Sequence, residues 1–141
     1  FAPASFFLDP FLYNYTNFNI SKCRISADFD KVIFVWGVNF AERDGTHPVE
    51  FANDADFTGT LFDSDAVFSG VRFGDNAYFA ETEFRKTAIF RGTEFQGCAR
   101  FTDVQFNGTA SFKDALFSKC ATFMDIAYNG TEDFNGAQFG M

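Results

Sequence analysis

Side chains able to carry covalent or metal chemistry are few: one His, three Cys and 19 Asp plus Glu in 141 residues. His47 lies in Arg43-Asp44-Gly45-Thr46-His47-Pro48, a polar, turn-rich stretch that reads as a solvated loop. No His and Cys set has zinc spacing, no Gly-rich loop precedes a helix, and no Ser, His and Asp trio can be nominated. No catalytic, cofactor-binding or metal-ligating residue is assigned, and the chain does not read as an enzyme. The pairs Asp54/Asp56, Asp63/Asp65 and Glu81/Glu83 put two carboxylates on one face with a residue between, a spacing on which calcium is conceivable. The Gly-Gly-X-Gly-X-Asp repeat of calcium-binding β-rolls is absent, so the pairs read as a solvated acidic face.

A second chemistry is modification. Four Asn-X-Ser/Thr sequons begin at Asn14, Asn19, Asn107 and Asn129. With 9 Asn and 18 Ser plus Thr in the chain, chance supplies roughly one. The excess, together with a first residue that is Phe and not Met, is the pattern of a secreted chain with N-linked glycans, and the expected place is extracellular or on the cell surface. No run of 18 apolar residues is present, which leaves no membrane-spanning helix. The formal charge is 11 − 19 = −8, which argues against nucleic acid as a direct partner, because phosphate binding needs Lys and Arg to release counterions.

What positions these residues is a repeat. Phe accounts for 24 of 141 residues while total apolar content is an ordinary 47%, so apolar surface is concentrated in one residue type. Positions 7, 18, 29, 40, 51, 62, 73, 84, 95, 106, 117, 128 and 139 advance by 11 and hold Phe, except for Tyr128. From 51 onward a second track follows six residues later, at Phe57, Phe68, Phe79, Phe90, Phe101, Phe112, Phe123 and Phe134. Before 51 it is irregular, with Leu12, Cys23 and Phe34 five residues after the first track. The chain therefore divides into a diverged segment, 1–50, and a regular ladder, 51–141. An 11-residue helical supercoil is excluded: residues six apart lie about 120° apart on a helix, and the positions a seam would need are polar or Gly.

Cut at the turns, the ladder becomes alternating five- and six-residue units: Ala66-Val67-Phe68-Ser69-Gly70, Val71-Arg72-Phe73-Gly74-Asp75-Asn76, Ala77-Tyr78-Phe79-Ala80-Glu81, and onward. In each of these units a small or β-branched residue stands two before the Phe. This resembles the pentapeptide-repeat family, closely over 51–141 and more loosely over 7–50, with one extra residue in every second unit. The resemblance implies an all-β fold, a right-handed quadrilateral β-helix, in which the Phe and the residue two before it face inward. Four units make a 22-residue coil, and 141/22 gives about six coils.

In such a coil residues 22 apart stack. One corner then holds Asn76, Cys98 and Cys120, and the other holds Asp65, Thr87, Thr109 and Thr131. Stacked corner Cα atoms fall within disulfide range, so Cys98 and Cys120 read equally as a bridge between coils or as two half-buried thiols. Cys23, at an inward phase, reads as a small core residue.

Two functional classes follow. Acidic members of the family imitate DNA and occupy the DNA-binding surface of type II topoisomerases, an alternative that interspersed Arg and Lys on the rod weaken. The first expectation is a structural protein that stacks on copies of itself, head to tail, into a filament, tube or sheath. Its apolar ends would be Phe1, Phe6, Phe7 and Phe11 at one side and Phe134 and Phe139 at the other, pairing by β-augmentation.

Overall fold

The computed structural model describes residues 4–7, 18–19, 24–34, 37–41 and 49–140, with side chains from 28 onward. Each unit has one extended stretch before its turn, so most strands are two residues long, such as Ala77–Tyr78 and Glu83–Phe84. Every pairing is parallel, and in the regular part each strand meets its counterpart in the coils above and below: Ala77 lies beside Ala55 on one side and Ala99 on the other. The strands form sheets of ten, five and six. The ten-stranded sheet covers two faces because Glu50–Asp56 rounds a corner, pairing at its start with Arg72–Phe73 and at its end with Ala77–Tyr78. The result is a right-handed β-helix with four faces, and no helix occurs among the described residues.

Alternation puts every second residue inside, and the interior holds four columns of five rings. They run Phe29, Phe57, Phe79, Phe101, Phe123; Phe34, Phe62, Phe84, Phe106, Tyr128; Phe40, Phe68, Phe90, Phe112, Phe134; and Phe51, Phe73, Phe95, Phe117, Phe139. The strand repeat sets the stacking distance, as in Phe79 on Phe101 at 4.9 Å and 1°. The first and third columns also meet across the axis edge to face, Phe79 lying 5.4 Å from Phe90 at 90°. Beside those two columns the inward residue is mostly Ala, as at Ala55, Ala77, Ala99, Ala66, Ala88 and Ala110. The other two faces mostly use larger side chains, such as Val71 and Val104. Where these are polar they are satisfied: Thr60, Thr82 and Thr93 each donate a buried hydroxyl to a ring residue's carbonyl, at 2.6, 2.9 and 2.7 Å. Each buried Phe contributes about 1.5–3 kcal/mol, and the ring pairing adds about 0.5–1.5 kcal/mol.

The N-terminal register corrects the sequence ladder. An unbroken 11-residue run would stack Phe29 on Phe51 and Phe40 on Phe62. In the structure Phe29 stacks on Phe57, Phe34 on Phe62 and Phe40 on Phe68. The strands agree, pairing Ile33 with Leu61 and Val38 with Ala66. The step from Ile33 to Leu61 is six longer than the next one in that sheet, from Leu61 to Glu83. The surplus falls between Phe40 and Val49. Six is also the offset between the two Phe tracks, so the insertion moves the chain from one track to the other without breaking the 11-residue count. Phe29, Phe34 and Phe40 keep the same alternation of five and six.

Further back, Ala4–Phe7 pairs with Arg24–Asp28, placing Phe6 beside Ala27 and Phe7 beside Asp28. Phe7 therefore takes the register of Asp28 and Asp56, not that of a ring. Phe18 takes the register of Val38 and Ala66, the position two before a ring. Phe1, Phe11, Leu12, Asn14, Cys23 and His47 lie outside the described residues.

Two kinds of corner turn the chain. Five-residue units end in a left-handed residue: Lys31, Gly59, Glu81, Asp103 and Asp125 on one face, Gly70, Gly92, Asp114 and Gly136 on another, with φ between 55° and 72°. The turn closes where the N–H of Thr60 donates to the Phe57 carbonyl at 3.1 Å, a type II pattern that needs positive φ at its third residue. Six-residue units turn with their extra residue instead. There the coils come so close that a Cβ on Gly97 would run into the Asp75 carbonyl.

Candidate functional site

Since the interior is filled by rings, chemistry and recognition belong to the corners, the outer faces and the coil edges. At one corner the side chain of each extra residue caps the backbone of the coil above. Asp54 Oδ1 accepts from the Asn76 N–H at 3.1 Å, and Asn76 Oδ1 accepts from the Cys98 N–H at 3.0 Å. The next rung is covalent: Cys98 and Cys120 form a disulfide with Cα atoms 4.6 Å apart across a sequence separation of 22. At the other corner Asp65 Oδ1 accepts from the Thr87 N–H at 3.1 Å, and the hydroxyls of Thr109 and Thr131 lie 3.1 Å apart.

The six-residue corner also carries two sequons. Asn107 and Asn129 are exposed and stacked, Asn129 Nδ2 donating to Asn107 Oδ1 at 2.8 Å. Asn107 Nδ2 in turn reaches Glu83 Oε1 at 3.4 Å. Asn19 lies in the strand Phe18–Asn19, beside Asn39.

Five of the six paired carboxylates have separate employment. Asp54 and Asp65 cap the coils above them, Asp56 caps its own turn at the Thr58 N–H, 2.9 Å, and Asp63 and Glu83 both bind Arg85, at 2.9 and 3.0 Å. Those bonds, from Glu83 first and then Asp63, raise the Arg85 pKa above its ordinary value. Arg72 pairs with Glu94 at 2.9 Å. Among the described residues no three His, Cys, Asp or Glu side chains converge as metal ligands. No helix long and apolar enough to cross a membrane occurs among them either.

Acidity gathers on one face. The units centred on Phe29, Phe57, Phe79, Phe101 and Phe123 hold Asp28, Asp30, Asp56, Glu81, Asp103 and Asp125 against Lys31 and Arg100, 2 − 6 = −4, half the net charge of −8. Arg100 lies over the Tyr78 ring, 5.2 Å from its centroid.

The coil of 118–140 is the most open part. Its rings stack on one side only among the described residues; Phe139 is 54% and Met124 53% exposed, while Phe117 beneath Phe139 is 1% exposed. Glu132 pairs with Ala110, so it occupies the inward position held by Ala in the coils below. Burial, and secondarily the charge of Glu132, raise the pKa of Tyr128 above the usual 10.0.

This geometry, small residue, ring, two- or three-residue turn, repeated on four faces, has a counterpart among known families. A family model described as pentapeptide repeats matches residues 49–94 and 68–116, with nine copies. Residues 49–116 are repeats of the pentapeptide-repeat family. No curated protein and no solved structure matches it.

As a pentapeptide-repeat protein it carries two features that the sequence reading passed over. Glu132 stands two before Phe134, where Ala66, Ala88 and Ala110 stand before their rings, and that phase was legible in the repeat. The column Glu81, Asp103, Asp125 takes the phase of Gly59, which signals a left-handed turn. By contrast, the capping of Asn76 by Asp54 joins successive coils and has no local signature.

Proposed function

We propose that this pentapeptide-repeat protein is a structural solenoid that works without catalysis and assembles end to end through its open coil. The observation that carries the reading is that Phe123, Tyr128, Phe134 and Phe139 offer the ring positions and backbone edge by which each coil below holds the next. A second copy is the partner, its N-terminal strands continuing the parallel ladder. Charge supports head-to-tail order: residues 1–27 carry 2 − 1 = +1 and residues 118–140 carry 1 − 3 = −2. Glu132 sets a condition on the joint, since a coil laid over it must bring a cation or a hydrogen-bond donor to that point. Four sequons and a disulfide between coils support placement outside the cell, with glycan on at least one of Asn14, Asn19, Asn107 and Asn129.

Sedimentation velocity and negative-stain microscopy of the chain across a hundredfold concentration range test the reading. Rods that lengthen with concentration and persist at high salt are expected, because the joint is mainly backbone bonds and stacked rings. A monomer at every concentration, pH and ionic strength overturns it. Intact-mass analysis of native material tests the glycans, and unmodified Asn at all four sequons overturns secretion through a glycosylating pathway.

The acidic face supports a second reading, a DNA-like rod that occupies the DNA-binding surface of a type II topoisomerase. Its column of Glu81, Asp103 and Asp125 makes no ion pair among the described residues, unlike the Asp63 and Glu94 carboxylates. Salt-sensitive inhibition of topoisomerase supercoiling, lost on neutralising these three, is the result that would favour it.

A further inference from the structure

We propose that Glu132 is a built-in brake on the end-to-end joint, an ionised side chain at an inward position that keeps the stacking of a second copy weak and reversible. The inference rests on the docking reading and concerns its regulation. From Phe29 to Phe117 the buried side chains are Phe, Val, Ala and Thr, and none is ionisable. Glu132 breaks that pattern by its register. It pairs with Ala110, which pairs with Ala88, which pairs with Ala66, and all three Ala are fully buried. Its neighbour Asp133 pairs with Ser111 and belongs to the outward set. Tyr128, which stacks on Phe106 in a column otherwise made of Phe, carries the second mark of the inward placement: its pKa is raised by burial and then by the charge of Glu132.

Sheet topology fixes what a second copy lays over this carboxylate. The six-stranded sheet runs from Phe18–Asn19 at one end to Glu132–Asp133 at the other. Head-to-tail stacking extends it by setting the first strand of the next copy on the last strand of this one. Phe18 takes the register of Val38 and Ala66, so it falls in the column of Glu132 and brings neither a cation nor a side-chain hydrogen-bond donor. Covering a carboxylate in this way strips its water and returns no partner. In the single chain Glu132 is exposed, so the penalty arises only at the joint. A charged residue at an inward position is one of the devices that keep sheet edges from pairing indiscriminately.

Sedimentation velocity on the whole chain compares the parent with Glu132→Ala, which installs the residue of the three coils below, and with Asp133→Ala, which removes the same charge from the outward neighbour. At neutral pH the association constant of Glu132→Ala should be about tenfold higher or more, and that of Asp133→Ala nearly unchanged. The ratio should persist at high salt, because salt screens repulsion between exposed charges and does not repay lost hydration. On the monomer, NMR of ring-labelled tyrosine, assigned with Tyr128→Phe, should show Tyr128 titrating at lower pH in Glu132→Ala. Equal association of the parent and Glu132→Ala overturns the brake and leaves the docking reading standing. Equal gains in the two Ala variants overturn it as well, since net charge then accounts for both. No association of any of the three chains at any concentration overturns the docking reading and the brake together. A Tyr128 titration that Glu132→Ala does not move removes the inward carboxylate on which the proposal stands.

Discussion

Phe29 stacks on Phe57 with centroids 4.9 Å apart and planes 14° from parallel. Every later step in that column, from Phe57 to Phe79, Phe101 and Phe123, takes six fewer residues of chain. The stacking distance is the same in both cases, so the ladder does not need the six surplus residues between Phe40 and Val49. Removing 43–48 should leave a folded chain in which Phe40-Ala41-Glu42 runs into Val49 as Phe79-Ala80-Glu81 runs into Thr82. Thermal unfolding within a few degrees of the parent is expected, since shortening a connection changes its closure entropy only slowly.

Phe95 lies between Phe73 and Phe117, 5.0 and 4.8 Å away, and is fully buried. Replacing it by Ala should cost about 3–5 kcal/mol in denaturant unfolding, since backbone pairing above and below prevents the cavity from collapsing. Phe139→Ala, on the open coil, should cost about 1 kcal/mol or less, because much of that ring is already in water.

Glu81 adopts φ 55° at the corner where Gly59 adopts 68°. A side chain there crowds its own backbone by about 1–2 kcal/mol, while Gly loses more freedom on folding, about 0.5–1 kcal/mol. Glu81→Gly should therefore stabilise the fold slightly, by roughly 0.5–1 kcal/mol in urea unfolding, further helped by removing a carboxylate from the column shared with Asp103. Gly92→Ala, φ 64°, should destabilise by roughly the amount that Ala loses in the left-handed region, about 1 kcal/mol.

Tyr128 has its pKa raised by burial first and by Glu132 second. The folded state thus holds the phenolic proton more tightly than the unfolded chain does. Its contribution is fully present below the ordinary value of 10.0 and is lost as pH rises through the higher folded value. Unfolding midpoints measured from about pH 8 upward should fall above that point, and Tyr128→Phe should lessen the fall. An identical alkaline decline in the variant would assign it to other groups.

The repeat alone determined the fold. Phe at fixed phase, a small residue two before it and a turn after it dictate alternation, burial and corner geometry from within a single unit, and these are local properties that any reader of the chain can extract. The corner columns were legible for the same reason, because a coil of constant length turns spacing into contact, as at Cys98 and Cys120. What the sequence could not decide is the track on which Phe29 and Phe40 lie. An insertion of six residues and the six-residue offset between tracks leave the same count of 11, and only the pairing of Ile33 with Leu61 and Val38 with Ala66 separates them. Register between coils is a property of two strands and not of one, so it is settled by hydrogen bonds and ring stacking across the ladder. The acidic face and the openness of the coil of 118–140 likewise depend on which layers lie next to which, and the tertiary structure alone supplies that.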